Sequence, residues 1–595
     1  MKAIRKKLIV CGLIGIAFCS HIDCLSQNPV FIDVSAVSGI SYINGPGSIA
    51  WTDYNQDGLV DLFVSTYTSP CHLFENQGNG QFVEITESPL VNDNHGGQGN
   101  FCYGASFVDF DNDGDQDSYI VRFRDVAGQS NELNNLMFMN IEGRFSQIFT
   151  GDAANSGGAS VIPSWSDFDQ DGDIDLFVTN HGSPPEFAGQ NDLFKNDEGD
   201  LVQISDHVLI EKMKISYTPI WADYNNDAIC DLFITQGPGH QNSLFLGKGD
   251  GEYEQENNGE IVTDIFNSYG ASAGDFDNDG DTDLFLCNGG ASGNRMNGLY
   301  ENNGNAIFDL AVFQADGWRE QDWNMGSVWL DFDNDGDLDL LVTSFSNSPD
   351  QGNRLYENRG QTGFIMHDEL IFCNLSSPTY AASTADFDQD GDLDLFLSTI
   401  GGGKLYENQT HGNNWIEIYC QGSESNRDAF GAQIRIKSII NQNPIWQTRT
   451  LLSNSGYASQ SENSAHFGLG TAEIIDSLVI IWPAGNTEVY TNISVNQRLK
   501  ITEMETLGIA DNKLDSEIHQ IAAYPNPFDH ELNISISQKI SNPTIEIYDV
   551  YGRKLISEEL SSNETTINVE QITNGIYFLR TLNNTTHQMI RLVKH

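Results

Sequence analysis

The chain has 595 residues, with 29 basic against 84 acidic side chains and a formal charge of −55. Such a field gives no electrostatic reason to bind nucleic acid or an anionic membrane surface, and the length asks for about two to four domains. Regularly spaced apolar runs and 56 glycines set it apart from a disordered polyanion and point to short elements joined by tight turns.

Residues 1–27 read as an export signal. Lys2, Arg5, Lys6 and Lys7 precede LIVCGLIGIAF, an apolar core too short to span a bilayer, with cleavage near Ser26 or Gln27. No later stretch is long and apolar enough for a transmembrane helix. Beyond the signal lie Cys71, Cys102, Cys230, Cys287, Cys373 and Cys420, without CxxC or Cys/His spacing, so no zinc site is expected. Export permits disulfides; buried thiols on strands are the alternative.

One phrase then recurs seven times: DYNQDGLVDLFV from Asp53, DFDNDGDQDSYI from Asp109, DFDQDGDIDLFV from Asp167, DYNNDAICDLFI from Asp223, DFDNDGDTDLFL from Asp275, DFDNDGDLDLLV from Asp331 and DFDQDGDLDLFL from Asp386. Successive copies stand 52 to 58 residues apart, a period that indicates an array or a propeller. A second phrase follows the first: LFENQGNGQF at Leu73, LFKNDEG at Leu193, LYENNGNAIF at Leu299 and LYENRGQTGF at Leu355. Trp51, Trp165, Trp221 and Trp329 each stand two residues before the first Asp of their repeat, a regularity that predicts packing, not ligand binding. Each repeat reads as four short strands, and seven such sheets close around an axis as a β-propeller. The seventh repeat lacks the Gly-x-Phe strand after LYEN. The segment PVFIDVSAVSGI resembles it, so residues around 30–40 are expected to complete the last sheet and latch the ring.

The spacing D-x-[DN]-x-D-G-x-x-D is that of a calcium loop. Ca²⁺ is a hard cation that takes about six to eight oxygens as the backbone wraps it. Position 1 is Asp53, Asp109, Asp167, Asp223, Asp275, Asp331 and Asp386; position 3 is Asn55, Asp111, Asp169, Asn225, Asp277, Asp333 and Asp388. Position 5 is Asp57, Asp113, Asp171, Asp227, Asp279, Asp335 and Asp390. Position 7, which offers its backbone carbonyl, is Leu59, Asp115, Asp173, Ile229, Asp281, Asp337 and Asp392. Position 9, the closing carboxylate, is Asp61, Asp117, Asp175, Asp231, Asp283, Asp339 and Asp394. Gly at position 6 permits the sharp turn. Position 12, Glu in an EF-hand, is here Val64, Ile120, Val178, Ile234, Leu286, Val342 or Leu397, inside the following strand, so these are calcium loops on hairpins. About six or seven Ca²⁺ are expected. The fourth loop, with Asn225, Ile229 and Ala228 in place of Gly, is the candidate for a weak or empty site.

On these motifs residues 28–412 resemble FG-GAP/VCBS repeats, as in integrin α-subunit propellers and their bacterial relatives. Residues 413–502, through SNRDAFGA, HFGLG and WPAG, resemble the ASPIC/UnbV domain that follows such propellers in cartilage acidic protein. Arg427, Asp428 and His466 there read as a turn-stabilising ion pair and a packed histidine, not as catalytic groups. Residues 503–520 read as a linker. Residues 521–595, through Tyr524-Pro525-Asn526-Pro527-Phe528, the Gly575-Ile576-Tyr577 turn and the basic end at Arg591 and Lys594, resemble the C-terminal sorting domain of type IX secretion. That resemblance implies contact with the type IX machinery, passage across the outer membrane and removal of the domain.

The expected fold is therefore all-β: a seven-bladed calcium-binding propeller, a small β domain and an Ig-like β-sandwich. The expected function is that of a secreted or cell-surface protein binding an extracellular glycan or protein, with calcium structural. The alternative is a polysaccharide lyase or hydrolase on the same scaffold, although no HExxH, phosphate-cradling loop or Cys/His dyad is present.

Overall fold

The computed structural model describes residues 30–504, apart from short connecting stretches of which 92–100, 124–132, 182–189, 290–295 and 312–322 are the longest, and the strands between 521 and 594. The export signal, residues 505–520 and the Pro525–Phe528 part of the sorting motif lie outside the described residues.

The chain is almost wholly β. The first repeat forms the strands Pro46–Thr52, Asp61–Thr66, His72–Asn76 and Phe82–Glu84, paired antiparallel in that order. Six further repeats have the same order, with first strands Cys102–Val108, Ser160–Ser166, Ser216–Ala222, Ser268–Gly274, Asn324–Leu330 and Thr379–Ala385. Each acidic loop joins the first strand to the second. The second strand is buried along its whole length in every repeat, which is why DLFV-type runs are nearly continuous in apolar residues. The outermost strand alternates buried and exposed residues, as in Phe82-Val83-Glu84. First strands of successive sheets touch, and that of the last touches that of the first, an arrangement consistent with a β-propeller.

The seventh sheet takes its outer strand from the N-terminal side. Phe31–Asp33 pairs antiparallel with Gly402–Asn408 (Phe31 with Asn408, Asp33 with Tyr406), and Asp33 forms an ion pair with Lys404 at 2.8 Å. The recurrent tryptophans are buried. Trp51 Nε1 donates to Ser383 Oγ at 3.0 Å and Trp165 Nε1 to Ser106 Oγ at 2.7 Å, each reaching the first strand of the preceding sheet.

The Asn of the second phrase is a clasp between repeats. Asn76 Nδ2 donates to Val60 O of its own loop (3.0 Å) and to Phe387 O of the preceding one (2.8 Å). Asn140, Asn196, Asn302, Asn358 and Asn408 repeat the pattern. The fourth repeat has Gly247 at this place. There the hydroxyl of Tyr253 reaches the same two carbonyls, Phe168 O (3.2 Å) and Cys230 O (3.1 Å).

After the seven sheets, Asn414–Gln421 lies between Ala465–Gly470 and Arg498–Thr502, and Gln433–Ile440 lies between Asn443–Thr450 and Ile474–Ile481. Their apolar cluster is continuous with that of the repeats, joining Trp165 and Phe194 to Ile416, Phe430 and Phe467. Residues 452–462 of this part run among the first strands of the ring. Ser459–Gln460 pairs parallel with Pro46–Thr52. Gln460 exchanges two 2.8 Å bonds with the Phe107 backbone, Ser453 Oγ accepts from Trp165 N–H at 2.9 Å and donates to Trp165 O at 2.8 Å, and Asn454 Nδ2 donates to Pro219 O. Thr384 N–H donates to Ser461 Oγ. Tyr457 is buried, its hydroxyl 2.5 Å from that of Tyr103, and it packs so closely on Gly270 that a side chain there would strike it and Met325 O. The last 75 residues form two antiparallel sheets around one buried cluster that includes Ile534, Ile547 and Leu579.

Candidate metal centres

All seven acidic loops take one backbone form. The carboxylate at position 1 accepts the N–H of position 6: Gly58 to Asp53 (3.0 Å), Gly114 to Asp109, Gly172 to Asp167, Ala228 to Asp223, Gly280 to Asp275, Gly336 to Asp331 and Gly391 to Asp386. Position 6 lies at positive φ in every case, and Ala228 sits at φ 66°, a conformation that costs an L side chain about 1 kcal/mol. Position 4 is also left-handed in all seven, always Asn or Gln (Gln56, Asn112, Gln170, Asn226, Asn278, Asn334, Gln389).

Six of those seven position 4 amides link their loop to the next. Asn112 Nδ2 donates to Asp173, Asn226 to Asp281, Asn278 to Asp337, Asn334 to Asp392 and Gln56 Nε2 to Asp115, while Gln389 donates to Gly58 O, from the last loop to the first. Position 7 carboxylates are thus acceptors for a neighbouring repeat, which fits a position whose side chain is not needed inside its own loop. At position 9 one oxygen accepts the N–H of the clasp residue, as Asp339 does from Asn358 at 2.7 Å. In every loop but the first its other oxygen accepts the N–H of position 2, as from Phe332 for Asp339 and Tyr224 for Asp231.

What remains is a set of carboxylate oxygens turned inward with no donor. Asp61 Oδ2, Asp109 Oδ1, Asp169 Oδ1, Asp333 Oδ1 and Asp388 Oδ1 are buried and lack hydrogen-bond partners. Ligand atoms of Asp109, Asp111 and Asp117, of Asp167, Asp169 and Asp175, of Asp275, Asp277 and Asp279, and of Asp331, Asp333 and Asp339 converge within 4.8 Å in each group. Burial, then neighbouring carboxylates, push these groups up. Asp331 rises to about 8, Asp335 to about 9 and Asp283 to about 10, while Asp223 in the fourth loop rises to about 6. Oriented, donorless, all-oxygen clusters that resist holding their own charge fit a hard divalent cation. The groups that would hold it are those at positions 1, 3, 5 and 9.

Two loops depart from the common form through residues whose role the sequence did not announce. In the third, the ammonium of Lys195, at the register held by Glu75, Glu301, Glu357 and Glu407 in other repeats, pairs with Asp169 and lies 2.9 Å from Asp171. In the seventh, His411 Nδ1 lies 2.7 Å from Asp392 Oδ2. Arginines from beyond the repeats also reach the loops. Arg427 Nε lies 3.2 Å from Asp109 Oδ2, Arg498 Nη2 lies 3.2 Å from Asp386 Oδ2, and half-buried Arg449 directs its charge toward Asp331 and Asp275.

The expected Arg427–Asp428 ion pair within one turn is therefore corrected. Arg427 pairs with Asp109, and Asp428 accepts the Asp109 N–H (2.8 Å) and the Gln116 amide (2.6 Å). Both serve the second loop, because its buried carboxylate and its buried backbone N–H each need a partner, as a neighbouring residue in the turn does not. His466 is packed, as expected: burial holds it neutral, down to about 4, and Nε2 bonds to Gly391 O at 3.0 Å.

The FG-GAP-like repeat model matches residues 53–120, 167–234, 223–286, 275–342 and 331–397, together half of the chain. The ASPIC and UnbV model matches 422–507, and the secretion system C-terminal sorting domain matches 522–595, which indicates export to the cell surface or secretion. Cartilage acidic protein 1 of Xenopus tropicalis is 26% identical over 485 residues, covering 73% of this chain and 70% of that protein. The Homo sapiens protein is 24% identical over 498 residues, covering 78% and 68%. An Agrocybe aegerita lectin that recognises non-reducing terminal N-acetylglucosamine superposes at a TM-score of only 0.38 with 15% identity, covering 56% of this chain and 81% of that one, too loosely to argue from. With half its length in matched repeats, the chain belongs to the FG-GAP-like repeat proteins.

Proposed function

We propose that this is an exported recognition protein whose body is a seven-bladed β-propeller held rigid by Ca²⁺ in its acidic loops, and that it binds an extracellular glycan or protein. The observation that carries the calcium reading is the donorless buried oxygens, Asp61 Oδ2, Asp109 Oδ1, Asp169 Oδ1, Asp333 Oδ1 and Asp388 Oδ1, each inside a loop of one repeated form. A bound cation would supply the positive charge those oxygens lack; the chain's own residues orient them through the position 6 N–H and the clasp asparagines. The first-to-last contacts of the strands favour closure as a ring of seven, and the last 75 residues are read as a removable Ig-like export address. A rigid ring with its loop edges held at fixed spacing suits recognition, though a propeller alone does not name a ligand.

Two measurements test this. Metal analysis after dialysis against low-calcium buffer should retain several ions per chain; one ion or none would remove the calcium reading. A glycan and matrix-protein array, run with calcium and with chelator beside a polysaccharide-degradation assay, should give calcium-dependent binding without turnover. Turnover would favour the enzyme.

A further inference from the structure

Six cysteines lie among the described residues, and two of them meet. Cys71 directly precedes the third strand of the first sheet, His72–Asn76, and Cys102 opens the first strand of the second sheet, Cys102–Val108. Both are buried, 3% and 0% exposed, in one apolar cluster with Leu73, Ala105 and Leu136. The Cys71 thiol acts directly on Cys102 and, with burial, raises it. Independent contacts hold the same two segments together: Phe101 N–H donates to Tyr67 O at 3.2 Å, and the rings of Phe63 and Phe107 meet edge to face at 5.3 Å. The other four cysteines fall in four different clusters, so none has a cysteine neighbour in its own.

Two further facts bear on the chemistry. Arg122, the register partner of Cys102, is 5% exposed and brings its positive charge to both sulfurs. The sorting domain takes the chain out of the reducing cytoplasm. We propose that Cys71 and Cys102 form a disulfide in the exported protein, tying the first sheet to the second.

The balance is that of thiol–disulfide exchange. One thiol loses its proton before burial raises it in the folded chain, and the thiolate displaces one sulfur of an external disulfide, carried by a protein or a small molecule. The second thiolate then displaces the mixed disulfide. Two protons and two electrons leave the pair, and the external disulfide becomes a dithiol. Because both sulfurs are covered in the folded chain, oxidation precedes closure of the two sheets, and the finished bond is out of reach of reductant while the protein stays folded. The bond closes a loop of about 30 residues, long enough for a measurable gain by restricting the unfolded chain.

The test uses full-length protein recovered from the exporting host. It is unfolded without reductant, alkylated, digested and mapped by mass. The expected result is a linked, unalkylated pair of peptides bearing Cys71 and Cys102, two hydrogens lighter than the dithiol, with the other four cysteines alkylated. Alkyl groups on both Cys71 and Cys102 would overturn the proposal. As a second readout, the wild type refolded with reductant should melt several degrees below the same protein refolded without it, and the Cys71→Ser/Cys102→Ser variant should show no such difference. Equal melting of the two wild-type samples would equally overturn it.

Discussion

Asn76 Nδ2 donates to the carbonyl of Phe387 at 2.8 Å, so a side-chain amide of the first repeat holds the loop of the last. The same amide holds Val60 O, and both carbonyls are buried. Asn76→Ala should therefore cost about 1–3 kcal/mol, the price of leaving buried acceptors unpaired. Tyr253→Phe should cost a comparable amount in the fourth repeat, where the hydroxyl replaces the amide. Denaturant unfolding of both, beside an exposed control such as Asn305→Ala, measures it; losses no larger than the control's would deny the clasp its role.

The fourth loop should bind its cation least tightly among loops of the common form. It offers three carboxylates, and Ala228 occupies a left-handed turn. Asp335→Ala should lose more calcium-linked stability than Asp227→Ala. Ala228→Gly should raise stability by about 1 kcal/mol. Calcium titrations followed by thermal melts decide it, and equal losses for the two aspartate variants would end the distinction.

In the third loop the chain carries its own counter-charge. Lys195→Met should raise calcium affinity there and lower the stability of the chelated protein, because Asp169 and Asp171 lose their partner. Equilibrium dialysis of the variant with unchanged affinity and stoichiometry would show the amine to be a bystander.

Removing the cations should reverse the response to pH. Asp331 and Asp335 titrate near 3.8 in the unfolded chain, but burial and mutual repulsion raise them to about 8 and about 9 in the folded one. Over that window the folded state holds protons that the unfolded state has released, so chelated protein loses stability as pH rises from about 4 to about 9. Calcium-loaded protein should run the other way, since protons compete with the ion for the same oxygens. Melting curves from about pH 5 to pH 8, with and without chelator, should slope in opposite senses.

Deleting residues 30–40 should strip the outer strand from the last sheet and expose the edge of Gly402–Asn408. A lowered melting temperature and increased binding of an apolar dye are expected; an unchanged melt would refute the latch.

The repeated sheets were legible because DLFV runs and acidic turns are local signals, and Phe31–Asp33 was legible because it resembles what the seventh repeat lacks. Residue types that act across repeats were not. Asn76 and its equivalents stood in a recognised phrase, yet their partners are backbone carbonyls some 80 residues away in most repeats, as in the Asn302–Tyr224 separation of 78. Nothing local in the sequence singles out the position 4 amides, because their partners lie in another repeat, as Gly58 does for Gln389. Lys195 differs from its counterparts by one substitution that reads as surface variation until its amine is placed among aspartates. Arg427 was assigned to its sequence neighbour because Asp109 is distant in the chain.

Residues 452–462 bond to first strands that were made long before them; Gln460 and Phe107 are 353 positions apart. Synthesis therefore cannot complete this molecule repeat by repeat. A polypeptide released before Tyr457 would leave Tyr103, Tyr217 and Met325 without the ring they pack against, and the backbone groups of Phe107 without their amide. Full length is thus written into the three-dimensional state itself, and a prematurely terminated chain would carry a visible mark of being unfinished before it ever met the export machinery's C-terminal address.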